Sequence, residues 1–251
     1  MQMSSTAPFK NAPITEALLD IRVSLPSGSD YATLEPFCEQ IATDYPTRRF
    51  RREWQAEIAV SDESAPVTSA TRGGTVGYLL TSPDGTQVVQ ARINGFSLSR
   101  LRPYRNWIEL KAEAQKLWEV YRKVANPLAI DQIALRYVNR IEIPAPFTDF
   151  REYVLTAPDI APGLPQGLSH FLMQLVVPFP AFGANATITE TIAQSNNDST
   201  TVPFILDIDV ARVGAIDVED PSVWEQFEQL RELKNDVFFK STTDKARELF
   251  V

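Results

Sequence analysis

The amino-acid sequence predicts an α+β fold built from duplicated β-α-β-β-β-α units, with antiparallel sheets and two long helices packed on one face. Three observations carry this. Short segments with apolar and polar residues in alternation recur between clusters of Pro, Gly, Asp and Ser, the pattern of half-buried strands. Two longer stretches switch to helical period, beginning near Trp107 and Trp224. The order also repeats: Ile14 and Ile130 open comparable strands 116 residues apart, and the two tryptophans open comparable helices 117 residues apart. Residues 1–126 and 127–251 are therefore expected to form two pseudo-repeats, closely packed as one unit.

The first strand is ITEALLDIRVSL, stopped by Pro26 and the turn-rich SGSD. LEPFCEQIATDY follows with Leu34, Phe37, Cys38, Ile41 and Tyr45 at helical spacing, Pro36 being tolerated in a first turn. RRFRREWQAEIAV, TVGYLLTS and QVVQARINGFSL read as strands, the last two joined by a hairpin at SPDG; ATRGGTVG reads as a hairpin turn. From Asn106, Trp107, Leu110, Ala114, Leu117, Trp118, Tyr121 and Val124 form one apolar stripe, ended by Asn126 and Pro127. IALRYVNRIEIP is the next strand, TDFREYVLTAP a short helix and APGLPQGL a loop. SHFLMQLVVPF and ATITETIAQS read as a strand pair or one interrupted strand, and NNDST turns into VPFILDIDVARV. The last long helix starts near Ser222 with Val223, Phe227, Leu230, Val237 and Phe238 inward, followed by a capping-like STTD and a terminal helical turn.

At 251 residues and 44% hydrophobic, the chain buries a sizeable core. Its longest apolar stretch, FLMQLVVPFPAF, is broken by Gln174, Pro178 and Pro180 and is too short to span a bilayer as a helix, and MQMSSTAPFK lacks a secretory pattern, so no membrane partner and a cytoplasmic location are expected. A lone Cys38 excludes an intramolecular disulfide and, with a lone His170, multi-thiolate zinc sites, and Cys38 reads as a buried thiol rather than a nucleophile. No cofactor is expected. The net charge of −8 is uneven: residues 48–140 carry fifteen basic and nine acidic side chains, residues 141–251 seven and seventeen. Arginine outnumbers lysine 17 to 7, which favours fixed pairs with carboxylates or phosphates.

NAPITEALLDIRV, RINGFSLSRLRPYRNW, LRYVNRIEIP and LRELKNDVFFKSTT together resemble a sporadically distributed family of uncharacterised bacterial proteins, over nearly the whole chain. The resemblance implies a prokaryotic or phage source and a single architecture. It brings no activity and no catalytic residues to this sequence.

The candidate site residues are arginines and one glutamate. Alternation in IALRYVNRIEIP puts Arg136, Arg140 and Glu142 on one face and Leu135, Tyr137, Ile141 and Ile143 on the other, with Asn139 among the apolar residues and bonded to a backbone turn. Two readings are open. The arginines form an ion-pair ladder with Asp207 and Asp209, or an anion-binding wall completed by Arg92. Arg102 and Arg105, just before the helix at Asn106, suit an anion at a helix N-terminus. Arg48, Arg49, Arg51 and Arg52 in TRRFRREW fit a charged edge strand. Without a nucleophile elbow, metal box or nucleotide loop, the sequence favours a non-enzymatic binding or regulatory module holding an anionic small molecule or a protein segment in an arginine-lined groove. The alternative is an enzyme acting on phosphate esters or nucleotides with metal assistance; the acidic total and the lack of a basic recognition helix argue against sequence-specific DNA binding.

Overall fold

Apolar alternation in the strands is satisfied by one nine-stranded antiparallel sheet, seen in a computed structural model that describes residues 9–59, 67–194 and 200–251. In chain order the strands are β1 (Ile14–Ser24), β2 (Thr47–Ala59), β3 (Val67–Thr81), β4 (Gln87–Arg92), β5 (Gly95–Leu101), β6 (Ala129–Pro144), β7 (Leu172–Phe179), β8 (Ala184–Ile192) and β9 (Thr201–Ile216). The helices are α1 (Glu35–Gln40), α2 (Trp107–Ala125), α3 (Val223–Ser241) and α4 (Asp244–Glu248). Across the sheet the order is β2-β3-β4-β5-β1-β6-β9-β8-β7, so β1 and β6 join the two halves in one continuous ladder, with Leu19 opposite Leu135 and Ile21 opposite Ile133.

Because cross-strand partners share a face, the register sorts the side chains. Ala17, Leu19 and Ile21 of β1 lie with Phe96 and Leu98 of β5, Ile133, Leu135, Tyr137 and Ile141 of β6, and Phe204, Leu206 and Ile208 of β9, all buried. Trp118 and Tyr121 of α2 pack on Phe96, with ring centroids 6.2 and 5.9 Å away, and Lys234 of α3 lies against Tyr137 of the same face. Burying a side chain of Leu or Phe size contributes about 1.5–3 kcal/mol. The opposite face carries Asp20, Arg92, Ser97, Arg136, Arg140, Glu142, Asp207 and Asp209.

Local chemistry fixes the ends. Asp84 accepts from the Ser82 hydroxyl at 2.6 Å and from the Thr86 amide at 3.0 Å, closing the SPDG hairpin. Asn106 caps α2 by accepting from the Glu109 amide at 2.9 Å, and Asn126, in the left-handed region at φ 46°, ends it.

Four expectations change. QVVQARINGFSL is two strands, β4 and β5, with the chain reversing at Ile93 and Asn94, so the first half carries four strands between its short and long helices rather than three. ATRGGTVG is not a turn; it lies within β3, and Gly77 is there because a Cβ would sit 2.0 Å from the Ala91 carbonyl oxygen of β4. TDFREYVLTAP forms only a 3-10 turn at Phe150–Glu152, since Asp149 and Glu152 close a capping box over one turn and Val154 then bridges Thr242 as extended chain. In the second half no α-helix separates β6 from β7. The expected NNDST turn falls almost wholly outside the described residues. Among the described residues, no helix is long and apolar enough to cross a membrane.

Candidate functional site

The predicted charged strand face exists, and its charges are spent on one another. Arg136 grips Asp207 with both arms, Nε to Oδ1 at 2.9 Å and Nη2 to Oδ2 at 2.5 Å. The pair is diagonal, because the residue directly opposite Arg136 is Asp209. Asp209 is left with Oδ1 buried and unbonded, and burial pushes its carboxyl up to about 6 against the pull of Arg136. Arg92 donates to Asp20 at 2.5 Å with both side chains nearly buried, and Arg22 approaches the other oxygen at 3.6 Å. Arg140 pairs along its own strand with Glu142 at 2.6 Å, and Glu142 also accepts from Thr201 at 2.8 Å. Asn139 bonds strand carbonyls rather than a turn: its amide donates to Leu206 O at 3.0 Å and Tyr137 O at 3.3 Å, the lone polar rung in an apolar column.

Arg102 and Arg105 are elsewhere. They lie on the helix-bearing side, at the rim of a cavity of about 550 Å³ bounded by residues 9–14, residues 102–108, Tyr137 and Asn139 of β6, and the middle of α3. Of the six candidates, Arg92, Arg136, Arg140 and Glu142 belong to the polar sheet face and Arg102 and Arg105 reach the cavity, Arg102 being near enough to Glu142 to help hold its carboxyl below the ordinary range.

Each wall of the cavity has a physical anchor. The Arg102 amide donates to Thr15 O at 3.0 Å, tying residues 102–106 to β1. The Tyr104 and Tyr137 hydroxyls share a hydrogen bond of 2.9 Å, their rings edge to face at 5.5 Å. The Trp107 indole donates to both oxygens of Glu228 on α3, at 2.8 and 2.9 Å, locking α2 to α3; Lys111 binds the same carboxylate at 2.5 Å and Arg231 sits 3.5 Å from it. The Asn11 amide donates to Phe250 O at 2.9 Å, and Phe9 packs against Phe239 and Phe250, tying residues 9–11 to the end of α3 and to Phe250.

Lys234 is the unusual group. It is 8% exposed, its Nζ lies 3.8 Å from the centre of the Tyr137 ring, and it lines the cavity. Its ammonium has neither a carboxylate nor a hydrogen-bond acceptor among the described residues, and Nζ keeps some accessible surface in the cavity. Burial, with Arg231 adding like charge, lowers its amine to about 7. Its apolar stripe was legible in the sequence: Phe227, Leu230, Val237 and Phe238 face inward, and 234 falls one turn after Leu230 and three residues before Val237. A lysine at that position in a core-facing stripe was the signal the sequence reading passed over.

Cys38 is buried, with its thiol pushed up to about 11 by burial, and His170 is exposed, so neither is poised for nucleophilic work. Among the described residues, no group of three or more His, Cys, Asp or Glu side chains is placed to hold a metal ion. No family model matches the chain, and no curated protein matches it.

Proposed function

We propose that this chain binds a small anionic ligand in the cavity between residues 102–108 and α3. The observation that carries the reading is the charge of the walls: Lys10, Arg102, Arg105, Arg231 and Lys234 line it and no described lining residue is acidic, the carboxylates that Arg105 and Arg231 approach, Glu109 at 3.8 Å and Glu228 at 3.5 Å, lying outside the lining. Lys234 weighs most, because a buried ammonium without a partner is costly unless a ligand supplies the counter-charge. Phe9, Tyr104, Trp107 and Phe239 give the cavity an apolar, ring-faced remainder, and its volume is in the range of small-molecule sites. The ligand class that fits has a carboxylate or phosphate at one end and a flat or apolar body. The polar sheet face is the structural counterpart, since Arg92, Arg136 and Arg140 already hold Asp20, Asp207 and Glu142.

We further propose that the halves derive from one duplicated unit, akin to the bacterial family whose motifs the chain resembles. The adjacent central strands β1 and β6 and the equal lengths of α2 and α3, 19 residues each, support this.

The test is a thermal-shift and calorimetric titration with inorganic phosphate, benzoate and adenosine monophosphate, on wild type, Lys234→Met and Arg136→Ala. Saturable binding of at least one anion, weakened tenfold or more in Lys234→Met and kept in Arg136→Ala, is expected. Binding lost in Arg136→Ala and kept in Lys234→Met would move the site to the polar sheet face, and no binding of any anion would end the reading.

A further inference from the structure

Of the seven lysines in the chain, Lys111, Lys116, Lys240 and Lys245 are each held by a carboxylate, at 2.5, 2.9, 2.7 and 2.5 Å. Lys234 is buried with no acidic partner among the described residues, in a cavity wall to which the Tyr104 and Tyr137 hydroxyl pair also belongs. A cation that only needed neutralising would be served by a carboxylate. An amine on a largely buried stem, turned into a cavity beside another cation and without a described acidic partner, is instead arranged as a nucleophile.

Building on the anion-binding reading, we propose that Lys234 captures its ligand covalently, as an imine with the carbonyl group of an anionic aldehyde or ketone. The Nζ lone pair adds to the carbonyl carbon, the carbonyl π pair moves to oxygen, and that oxygen takes a proton to give a carbinolamine. The hydroxyl then leaves as water with a second proton, the nitrogen lone pair closes the C=N bond, and the nitrogen gives up the protons that balance the water. One amine and one carbonyl yield one imine and one water, with no oxidant or reductant. The phenol pair is suited to relay those protons, since each hydroxyl both donates and accepts and the two already share one at 2.9 Å. Arg102, Arg105 and Arg231 supply the anion's partners around the same space. Burial and the neighbouring Arg231 bring the amine to about 7, so near neutral pH it is present both as the ammonium that holds an anion and as the free amine that reacts.

The experiment incubates the full chain at neutral pH with pyridoxal 5′-phosphate, with glyoxylate and with uncharged pyridoxal. Sodium cyanoborohydride then reduces any imine, and intact mass and peptide mapping locate it. The expected result is a single adduct at Lys234 with an anionic carbonyl compound, at least tenfold above any other lysine. It should be suppressed by excess inorganic phosphate and much weaker with pyridoxal. Lys234→Arg, which keeps the charge and removes the nucleophile, abolishes it while retaining phosphate binding. Adducts spread over surface lysines, or phosphate binding without any adduct at Lys234, overturn the covalent step and leave the anion reading standing. An adduct at Lys234 formed equally well with pyridoxal, and no phosphate binding, overturns the anion reading instead.

Discussion

Replacing Lys234 by methionine separates a group kept for ligands from one kept for the fold. Folding lowers this amine from 10.5 to about 7, so between those values the unfolded chain holds a proton that the folded chain has released. Wild-type stability must then rise with pH across that window, and the penalty is complete at pH 7 and below. At about 1.4 kcal/mol per pH unit the full penalty approaches ~5 kcal/mol. The Tyr137 ring, 3.8 Å from Nζ, returns about 1–2 kcal/mol of it when the amine is charged. Methionine keeps the length and the packing and carries no charge. Lys234→Met is therefore expected to be more stable than wild type by about 3–4 kcal/mol at pH 7, and by under about 1 kcal/mol at pH 10. Urea unfolding followed by tryptophan fluorescence at both pH values measures it. A variant less stable than wild type at pH 7, with a difference that does not move with pH, would mean the ammonium is well paired in the fold, and the case for a ligand beside Lys234 would fail.

Other positions test the rest of the structure. Glu190 on β8 is 1% exposed with both oxygens unbonded, and burial pushes its carboxyl up to about 7, so it penalises folding as pH rises from 4.5 towards 7; Glu190→Gln should gain about 3 kcal/mol at pH 8 and nothing at pH 4, read by paired urea titrations. Asp207→Asn should cost no more than about 1 kcal/mol, because Arg136 is half exposed and Asp209 stands directly opposite to receive it. In that variant the Asp209 carboxyl should fall below its present value of about 6, as a carbon-detected NMR titration would report; an unchanged Asp209 would show that Arg136 does not switch partners. Gly77→Ala should cost more than about 2 kcal/mol, because its Cβ meets backbone of β4, whereas Gly85→Ala, in an open turn at φ 71°, should cost only about 1 kcal/mol; equal losses in a thermal melt would contradict the close strand approach.

What the sequence disclosed and what it withheld follow from the range of the forces involved. The faces of β6 were legible because alternation is local: Leu135, Tyr137, Ile141 and Ile143 are buried while Arg136 and Glu142 are exposed. The cap at Asn106 and the stop at Asn126 were legible for the same reason. The reversal at Ile93 and Asn94 carried a signal too, the Asn94-Gly95 pair, but the apolar alternation that runs through it reads as one strand, and the need for glycine at 95 is non-local: a Cβ there would meet Ile21 O of β1. Nor could composition say that Arg136 reaches past Asp209 to Asp207, which depends on a diagonal between strands. The cavity shows the same division most clearly. Arg102 and Arg105 were recognisable as cations before a helix, but their connection with Lys234 exists only because Tyr104 bonds Tyr137 and Trp107 bonds Glu228, bringing together segments more than a hundred residues apart. A lysine in an apolar helical stripe can be seen in sequence; that no acidic side chain among the described residues meets it can be seen only once its neighbours have converged. That missing partner, more than the number of arginines, gives the cavity its claim to a ligand.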